Sequence, residues 1–374
     1  DADAGGAVVH IPRKVIRLAQ LGEDALGHDL RAERGMQGLF GAVQRILSKL
    51  GEPYNFPGYV HHSTASIGVT LFGQEPAAMS ELLKQADLAM YQAKGMGRNT
   101  VCFFDPDMQL VATANAALAT DLRQGWKEGQ FHVVYQPQVG PDGKMSGVEA
   151  LLRWKHPVRG LVEPGLFIAT AEETSLIIPL GRGVIDAACA QLAAWARRPD
   201  RRHLSIAVNV SVRQFRHPDF VDEVMSAIRE AAVSPHRLKL ELTESLLASE
   251  IEVTLAKMAS LKALGVKLSL DDFGMGYSSL SYLKRLPLDQ LKIDREFVKD
   301  ILTDDNDAAI AKTIVRLARS LDLDVIAEGV ETRAQQEFLS ALGCPSYQGY
   351  LFCKPLPLQE LEAFIDGQAV PQAA

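Results

Sequence analysis

The chain has 374 residues, enough for two domains or for one large barrel with an appendage. Its 47% hydrophobic and 23% charged residues are typical of a soluble globular protein, and no apolar run approaches the ~20 residues that a membrane span needs. The net charge of −7 argues against affinity for nucleic-acid polymers, and four cysteines without a CxxC pair indicate reduced core residues of a cytoplasmic protein.

Residues 1–110 are predicted to form a separate and incomplete unit. The first sixty residues are irregular and rich in small and polar side chains, without the strands of a complete domain. Residues 64–72 are predicted to form a strand, and residues 80–94 an amphipathic helix that ends at Gly95. A partly helical linker at residues 111–121 is expected to connect this unit to residues 122–374.

Strand-like and helix-like segments alternate through the rest of the chain, which predicts an α/β fold. The predicted strands are residues 132–139, 146–154, 204–211, 238–244, 266–271, 290–294, 324–328 and 347–352. The predicted helices are residues 166–180, 185–197, 219–232, 254–264, 308–321 and 333–342. This pattern predicts a (β/α)8 TIM-like barrel, in which the C-terminal ends of the strands carry the active site.

The first two predicted strands of the barrel are joined only by residues 140–144. That connection is far too short for a parallel crossover, which needs a dozen or more residues. We therefore expect an antiparallel hairpin here, and a barrel that is modified at its first strand.

Polar clusters stand at the ends of six of the apolar segments. They contain Glu149, Asn209, Glu241 with Glu244, the pair Asp271-Asp272, Lys292 with Asp294, and Glu328 with Glu331. Carboxylates at the ends of buried strands are costly unless they bind something positive, so a barrel that gathers them predicts a metal-rich pocket. Carboxylate and amide oxygens favour Mg²⁺ or Mn²⁺. Any one of these carboxylates could instead cap a helix or pair with an arginine.

From about residue 122 to 364 the chain resembles the EAL-type cyclic di-GMP phosphodiesterases, named for the triplet that is Glu149-Ala150-Leu151 here. The matching motifs, in the family's order, are residues 136–137, 149–154, 209–211, 241–245, 271–279, 292–294, 327–332 and 348–349. The resemblance implies hydrolysis of cyclic di-GMP to linear pGpG. Two ions about 3.5–4 Å apart would hold a hydroxide for in-line attack on the phosphodiester.

The same resemblance implies two sets of metal ligands. The first Mg²⁺ or Mn²⁺ ion would be held by Glu149, Asn209, Glu241 and Asp271. The second would be held by Asp271, Asp272 and Glu328, with Asp271 bridging the two ions.

The resemblance also implies roles for residues around the metals. Lys292 would contact the nucleophilic water, and Asp294 would orient Lys292 or that water. Arg153 would contact a substrate phosphate, although a structural ion pair is the alternative. Gln136, Glu331 and Gln348 match positions near the ligand.

Residues 272–279 are expected to form a mobile loop, because Gly274 and Gly276 lie within them. In the family this loop shapes the second metal site and a homodimer contact of the barrel, and Glu244 steadies it. Met275 stands where most relatives carry Thr, which puts the dynamics of the loop in question but not metal binding.

The N-terminal unit resembles the C-terminal half of a GGDEF domain, the domain that synthesises cyclic di-GMP. The resemblance rests on residues 66–69 and 86–99, whereas the catalytic signature is absent from the sequence. Residues 22–26 are either an eroded trace of it or a chance match. We therefore expect no cyclase activity, and the unit either regulates the barrel or is an inert remnant.

Two other functions stay open. A catalytically inactive receptor would bind the dinucleotide only to signal, but such relatives lose metal ligands, and each ligand position is filled here. An unrelated metal-dependent barrel enzyme of the aldolase or enolase type is the second alternative. The Asp271-Asp272 pair and the number of matching motifs disfavour it.

Overall fold

The computed structural model describes residues 6–11, 14–17, 36–56, 59–61, 63–72, 78–248, 251–274 and 283–367. The chain divides into two compact units, residues 1–118 and 119–374. The helix α3 (Pro106–Lys127) passes through the boundary and through the segment where a partly helical linker is predicted.

The first unit contains a four-stranded sheet in the order β2-β1-β5-β6. Its strands are β1 (Gly6–Ile11), β2 (Lys14–Arg17), β5 (Ile67–Phe72) and β6 (Val101–Phe103). β1 is antiparallel to β2 and β5, whereas β5 and β6 are parallel. A separate antiparallel pair is formed by β3 (Tyr54–Phe56) and β4 (Tyr59–His61). Two further described helices of this unit are α1 (Met36–Leu50) and α2 (Met79–Gly95).

The strand and the helix predicted in this unit are present as β5 and α2. A Cβ atom at Gly68 would collide with the backbone of Ala86 and Met90, so α2 packs directly on β5 at this glycine. The prediction that the first sixty residues are irregular is wrong for β1, β2 and α1. β1 pairs with the adjacent β2 and also with β5, almost sixty residues away, so the local sequence carries only part of the signal. Residues 22–26 lie outside the described residues.

The second unit is a closed barrel of eight strands, as predicted. They are β7 (Phe131–Val139), β8 (Met145–His156), β10 (Ser205–Val210), β11 (Leu238–Thr243), β12 (Lys267–Phe273), β13 (Gln290–Ile293), β14 (Asp324–Ala327) and β15 (Ser346–Gln348). Neighbours from β10 to β15 are parallel, and β8 closes the barrel against β10. β7 is antiparallel to both β8 and β15, which confirms the modified first strand. A short strand, β9 (Gly160–Val162), extends β8.

The described helices of this unit lie between the strands, and the last one follows β15. They are α4 (Pro164–Glu173), α5 (Ile177–Ala196), α6 (Val212–Arg216), α7 (Phe220–Ala231), α8 (Ile251–Ala263), α9 (Arg295–Lys299), α10 (Asp305–Ser320), α11 (Arg333–Leu342) and α12 (Leu358–Ile365). One helix was predicted at residues 166–180, but the chain forms two there. Ser175 has a φ of +64°, in the left-handed region, and this turn separates α4 from α5.

Along the barrel strands, apolar side chains facing the helices alternate with side chains facing the interior, many of which are polar. Val148, Val208 and Leu240 belong to the hydrophobic core, whereas their neighbours Glu149 and Glu241 are buried polar residues. This two-residue period places the polar strand residues inside the barrel.

By length and composition α5 could cross a membrane, and half of its apolar window is buried inside the unit, as in the core helix of a globular protein. Among the described residues, no other helix meets those two conditions.

Candidate active site

The strand register gathers the predicted metal ligands at one end of the barrel. Asn209 on β10 is paired with Glu241 on β11, and Gln136 on β7 is paired with Glu149 on β8. Because β8 also pairs with β10, these side chains converge on one interior layer. Glu328, immediately after β14, joins them: oxygens of Glu149, Glu241 and Glu328 lie within 4.8 Å of one another.

Lys292 on β13 lies in the middle of these carboxylates and is 1% exposed. Its Nζ donates hydrogen bonds to Glu241 Oε2 at 2.6 Å and to Asp271 Oδ2 at 2.9 Å. It also forms an ion pair of 2.5 Å with Glu328 Oε1. Burial by itself would lower the pKa of Lys292, but the carboxylates outweigh burial and hold this pKa well above its usual value. The ammonium therefore stays charged, which excludes a Schiff-base role.

The carboxylates of this layer are crowded and incompletely paired. Burial raises the pKa of Glu241 to about 7, and the charges of Glu149 and Asp271 add to this increase. Burial likewise raises the pKa of Glu328 well above its usual value. Glu241 Oε1 is buried without a hydrogen-bond partner among the described residues. An orphaned carboxylate oxygen beside other acidic groups fits a hard divalent cation, which would supply the missing positive charge.

A chain of amides holds Glu149 from the other side. Asn209 Nδ2 donates to Glu149 Oε1 and Gln348 Nε2 donates to Glu149 Oε2, both at 2.5 Å. Gln348 Nε2 also contacts Gln136 Oε1 at 3.0 Å, and Gln138 Nε2 donates to Gln348 Oε1 at 3.0 Å. Gln138 was missed in the sequence, although its position two residues after Gln136 places both side chains on the same face of β7. The amides restrict the orientation of the Glu149 carboxylate.

Asp272 lies at the edge of the same site. Its φ is +54°, and the register between β12 and β13 shifts between Leu270 and Phe273. The Asp272 backbone N–H donates to Asp271 Oδ1 at 2.9 Å. Burial raises the pKa of Asp272 to about 6, and the carboxylates of Asp271 and Asp294 add to this increase. The irregular backbone thus brings a second acidic group to the barrel mouth.

The remaining predicted residues surround this centre. Asp294 caps α9, because its Oδ1 accepts from the Glu296 N–H at 2.7 Å. Glu244 begins the 3₁₀ helix Glu244–Ala248, and its Oε2 accepts from the Gly274 N–H at 3.3 Å. This bond connects Glu244 to the start of the predicted loop, which is the contact expected of a residue that steadies the loop. Most of that loop, with Met275, lies outside the described residues.

Two predicted substrate contacts do not bond to the acidic centre within the described part of the chain. Arg153 is half-buried on β8, and its Nη1 donates to the Leu152 carbonyl at 2.9 Å. Glu331 is exposed, and its backbone N–H donates to Gln335 Oε1 at 2.9 Å.

Known proteins share both parts of the chain. Residues 119–355 match the EAL domain family, and residues 18–100 match the family described as diguanylate cyclase, GGDEF domain. The bifunctional diguanylate cyclase/cyclic di-GMP phosphodiesterase MucR of Pseudomonas aeruginosa is 45% identical over 326 residues. The cyclic di-GMP phosphodiesterase NbdA of the same organism is 42% identical over 323 residues. Both matches cover 86% of this chain, but only 47% of MucR and 41% of NbdA.

Solved structures support the same relationship. The phosphodiesterase structure of MucR in complex with c-di-GMP is 48% identical, with a TM-score of 0.64 over 66% of this chain and 99% of that one. The EAL enzyme Bd1971, bound to cAMP and cyclic-di-GMP, is 30% identical, with a TM-score of 0.67 over 82% of each chain. Because the EAL match covers residues 119–355, more than half of the 374 residues, the chain belongs to the EAL domain family.

Proposed function

We propose that this protein hydrolyses cyclic di-GMP to linear pGpG in a reaction that depends on two Mg²⁺ or Mn²⁺ ions. The observation that carries the proposal is the interior layer in which Glu149, Asn209, Glu241, Asp271 and Glu328 surround Lys292. This complete set of oxygen donors favours an enzyme over an inactive receptor. The names of MucR and NbdA, which include cyclic di-GMP phosphodiesterase, support the choice of substrate.

The residues that would hold the two ions are those implied by the family resemblance. Glu149, Asn209, Glu241 and Asp271 would hold the first ion, and Asp271, Asp272 and Glu328 the second. When bound, such ions supply Lewis-acid stabilisation of charge on the phosphoryl oxygens and favour ionisation of water. The amide chain through Gln348 would keep the Glu149 carboxylate oriented toward its ion.

Lys292 would act as a fixed positive charge beside the attacking water. Its ammonium keeps its proton, so it can donate a hydrogen bond to that water but cannot accept a proton from it. Water adds to one phosphorus, the bond from that phosphorus to a 3′-oxygen breaks, and the leaving oxygen takes a proton. The product is a linear dinucleotide with a terminal 5′-phosphate.

Contacts to the substrate would come from the barrel mouth. We propose that Gln136, Arg153, Glu331 and Gln348 bind cyclic di-GMP, and that Glu244 and Asp294 keep the neighbouring backbone in place. Arg153 suits a phosphate because its guanidinium offers several donors and its described bond uses one of them.

The larger organisation is also a proposal. Residues 1–110 would form a GGDEF-like unit without cyclase activity, residues 111–121 a helical linker, and residues 122–374 the phosphodiesterase barrel. The protein would act in the cytoplasm as a homodimer through the barrel, in second-messenger signalling.

The test is incubation of the purified full chain with cyclic di-GMP and Mg²⁺ or Mn²⁺, with the products separated by chromatography. We expect pGpG to form. Glu241→Gln should lower the rate of hydrolysis by more than about 100-fold, because it replaces a charged metal ligand with a neutral side chain of the same size. The exposed Glu360→Gln is the matched control.

Calcium should inhibit hydrolysis, since its longer bonds and looser geometry misplace the reacting groups. Binding of cyclic di-GMP without any pGpG in either metal would identify an inactive receptor instead.

A further inference from the structure

A second polar cavity lies at the end of the barrel opposite to the acidic centre. Its volume is about 300 Å³, the lower limit of ordinary ligand pockets. The residues that line it include the first residues of several parallel strands, Ser205, Lys267, Gln290, Asp324 and Ser346. This end of the barrel has no part in the proposed hydrolysis.

Two lysines lie side by side in the wall of this cavity. Lys239 on β11 and Lys267 on β12 are directly paired in the strand register, and both line the cavity. Like charges at directly opposite positions of paired strands destabilise a sheet. Lys239 is only 9% exposed, so its ammonium group has little access to solvent. The fold therefore maintains a repulsive pair of ammonium groups around an open space.

Neither lysine forms an ion pair within the described part of the chain. The described hydrogen bond of Lys239 Nζ goes to a neutral amide, Gln290 Oε1, at 2.7 Å. An ammonium group has three donors, so two remain for another partner. The charge of Glu241, which forms its ion pair with Lys292, acts on Lys239 from the neighbouring level of the barrel, so the cavity side of Lys239 has no direct carboxylate partner among the described residues.

The two carboxylates at the cavity do not supply that compensation directly. Asp289 Oδ1 accepts from Lys262 Nζ at 2.6 Å, and Asp289 Oδ2 accepts from the Leu268 N–H at 2.7 Å. Asp324 is exposed at the start of β14 and forms no ion pair with Lys239 within the described part of the chain. Arg237 brings a third positive charge to the lining.

We infer that this cavity binds a small tetrahedral oxyanion of the phosphate class between Lys239 and Lys267. The oxygens of such an ion would accept from both ammonium groups and relieve their repulsion. The hydroxyl group of Ser346 on the same lining is suited to a remaining oxygen. The acidic centre, by contrast, is built for cations, so the two ends of the barrel would select ligands of opposite charge.

The experiment is a calorimetric titration of the full chain with inorganic phosphate, in excess chelator so that metals at the other end cannot bind it. We expect one saturable site, weakened by about tenfold or more in Lys239→Met and in Lys267→Met, because each removes a charge-assisted hydrogen bond. Arg153→Met is the matched control, since phosphate held at the barrel mouth would depend on Arg153. Sulfate should compete with phosphate for the site.

Two results would overturn the inference. One is the absence of saturable binding up to about 10 mM phosphate, which corresponds to an affinity too weak for a formed site. The other is binding that survives in both lysine variants or that is lost in Arg153→Met. Lys267 is half-exposed, so Lys267→Met tests the site even if substitution of the buried Lys239 disturbs folding. Circular dichroism of each variant checks the fold.

Discussion

Replacing Lys292 with Met should destabilise the barrel strongly when no divalent ion is present. The substitution keeps the length of the side chain and removes its charge. Glu241, Asp271 and Glu328 then lose an ammonium that lies 2.5 to 2.9 Å from their oxygens. The acidic groups would repel one another in a site from which solvent is largely excluded.

The magnitude follows from the burial of the partners. Lys292 is 1% exposed and the side chains of Glu241, Asp271 and Glu328 are 0%, 12% and 18% exposed. Removing one member of a buried ion pair costs about 3–5 kcal/mol, and we expect the upper part of that range. The loss should increase with pH. The folded-state pKa of Glu241 is already raised to about 7 and would rise further without the ammonium, so protonation of Glu241 relieves the repulsion at pH 6 and relieves it less as pH rises.

The assay is urea unfolding followed by tryptophan fluorescence, in chelator, at about pH 6 and pH 8. All three tryptophans, Trp126, Trp154 and Trp195, belong to the barrel unit, so the signal reports on that unit alone. The exposed Lys299→Met on α9 is the control. A loss below about 1 kcal/mol, or an equal loss at both pH values, would refute the electrostatic reasoning. With Mg²⁺ or Mn²⁺, the same variant should also hydrolyse cyclic di-GMP far more slowly.

Three further predictions address other parts of the unit. In chelator, the pKa of Glu241 is raised by burial to about 7, so protonated Glu241 contributes up to ~3 kcal/mol to the free energy of unfolding. This contribution is complete below about pH 4.5 and is lost as pH rises to about 7. Urea unfolding across that range should therefore show a smaller decline of the free energy of unfolding in Glu241→Gln than in wild type. Gln138→Leu should weaken Mn²⁺ binding by about tenfold, because Gln348 loses its hydrogen bond from Gln138 and then orients Glu149 less well. Electron paramagnetic resonance measures this affinity, and an unchanged affinity would show that Gln138 has no part in the site. Arg201→Met should lower the free energy of unfolding by about 2 kcal/mol in the same urea assay, because fully buried Arg201 pairs with Glu362 of α12. Equal unfolding midpoints of the variant and wild type would show that this pair does not hold the helix.

Much of the barrel could be predicted because its sequence carries two simple signals. Apolar strand segments separated by helical segments predict the alternation, and the five residues 140–144 predict the antiparallel hairpin that the structure confirms. Polar residues such as Glu149 and Glu241 stand out because they interrupt apolar runs. Their approach to within 4.8 Å follows from the fold, since parallel strands present their C-terminal ends on the same face.

Other features depend on partners that are distant in the sequence. Gln138 reads as an ordinary polar residue of β7 until β15 brings Gln348 within 3.0 Å. Arg201 follows α5 among other charged residues, and its burial becomes visible only when α12 packs over it. Short elements such as α6 and α9, each of five residues, are too brief to show a helical period.

The interior of the barrel shows why a two-residue period has consequences at both ends. Lys239 and Glu241 lie two residues apart on β11, so their side chains enter the same interior at successive levels. Gln290 and Lys292 repeat the arrangement on β13, and Lys239 Nζ binds Gln290 Oε1 while Lys292 Nζ binds Glu241 Oε2. A positively charged floor therefore lies one level beneath an acidic mouth. The positive charge of Lys292 opposes the increase in the pKa of Glu241, and the carboxylate of Glu241 opposes the decrease in the pKa of Lys239. An anion bound beside Lys239 would increase the affinity of the acidic centre for a cation. A cation at that centre would increase the affinity for the anion by the same factor, because binding linkage is reciprocal.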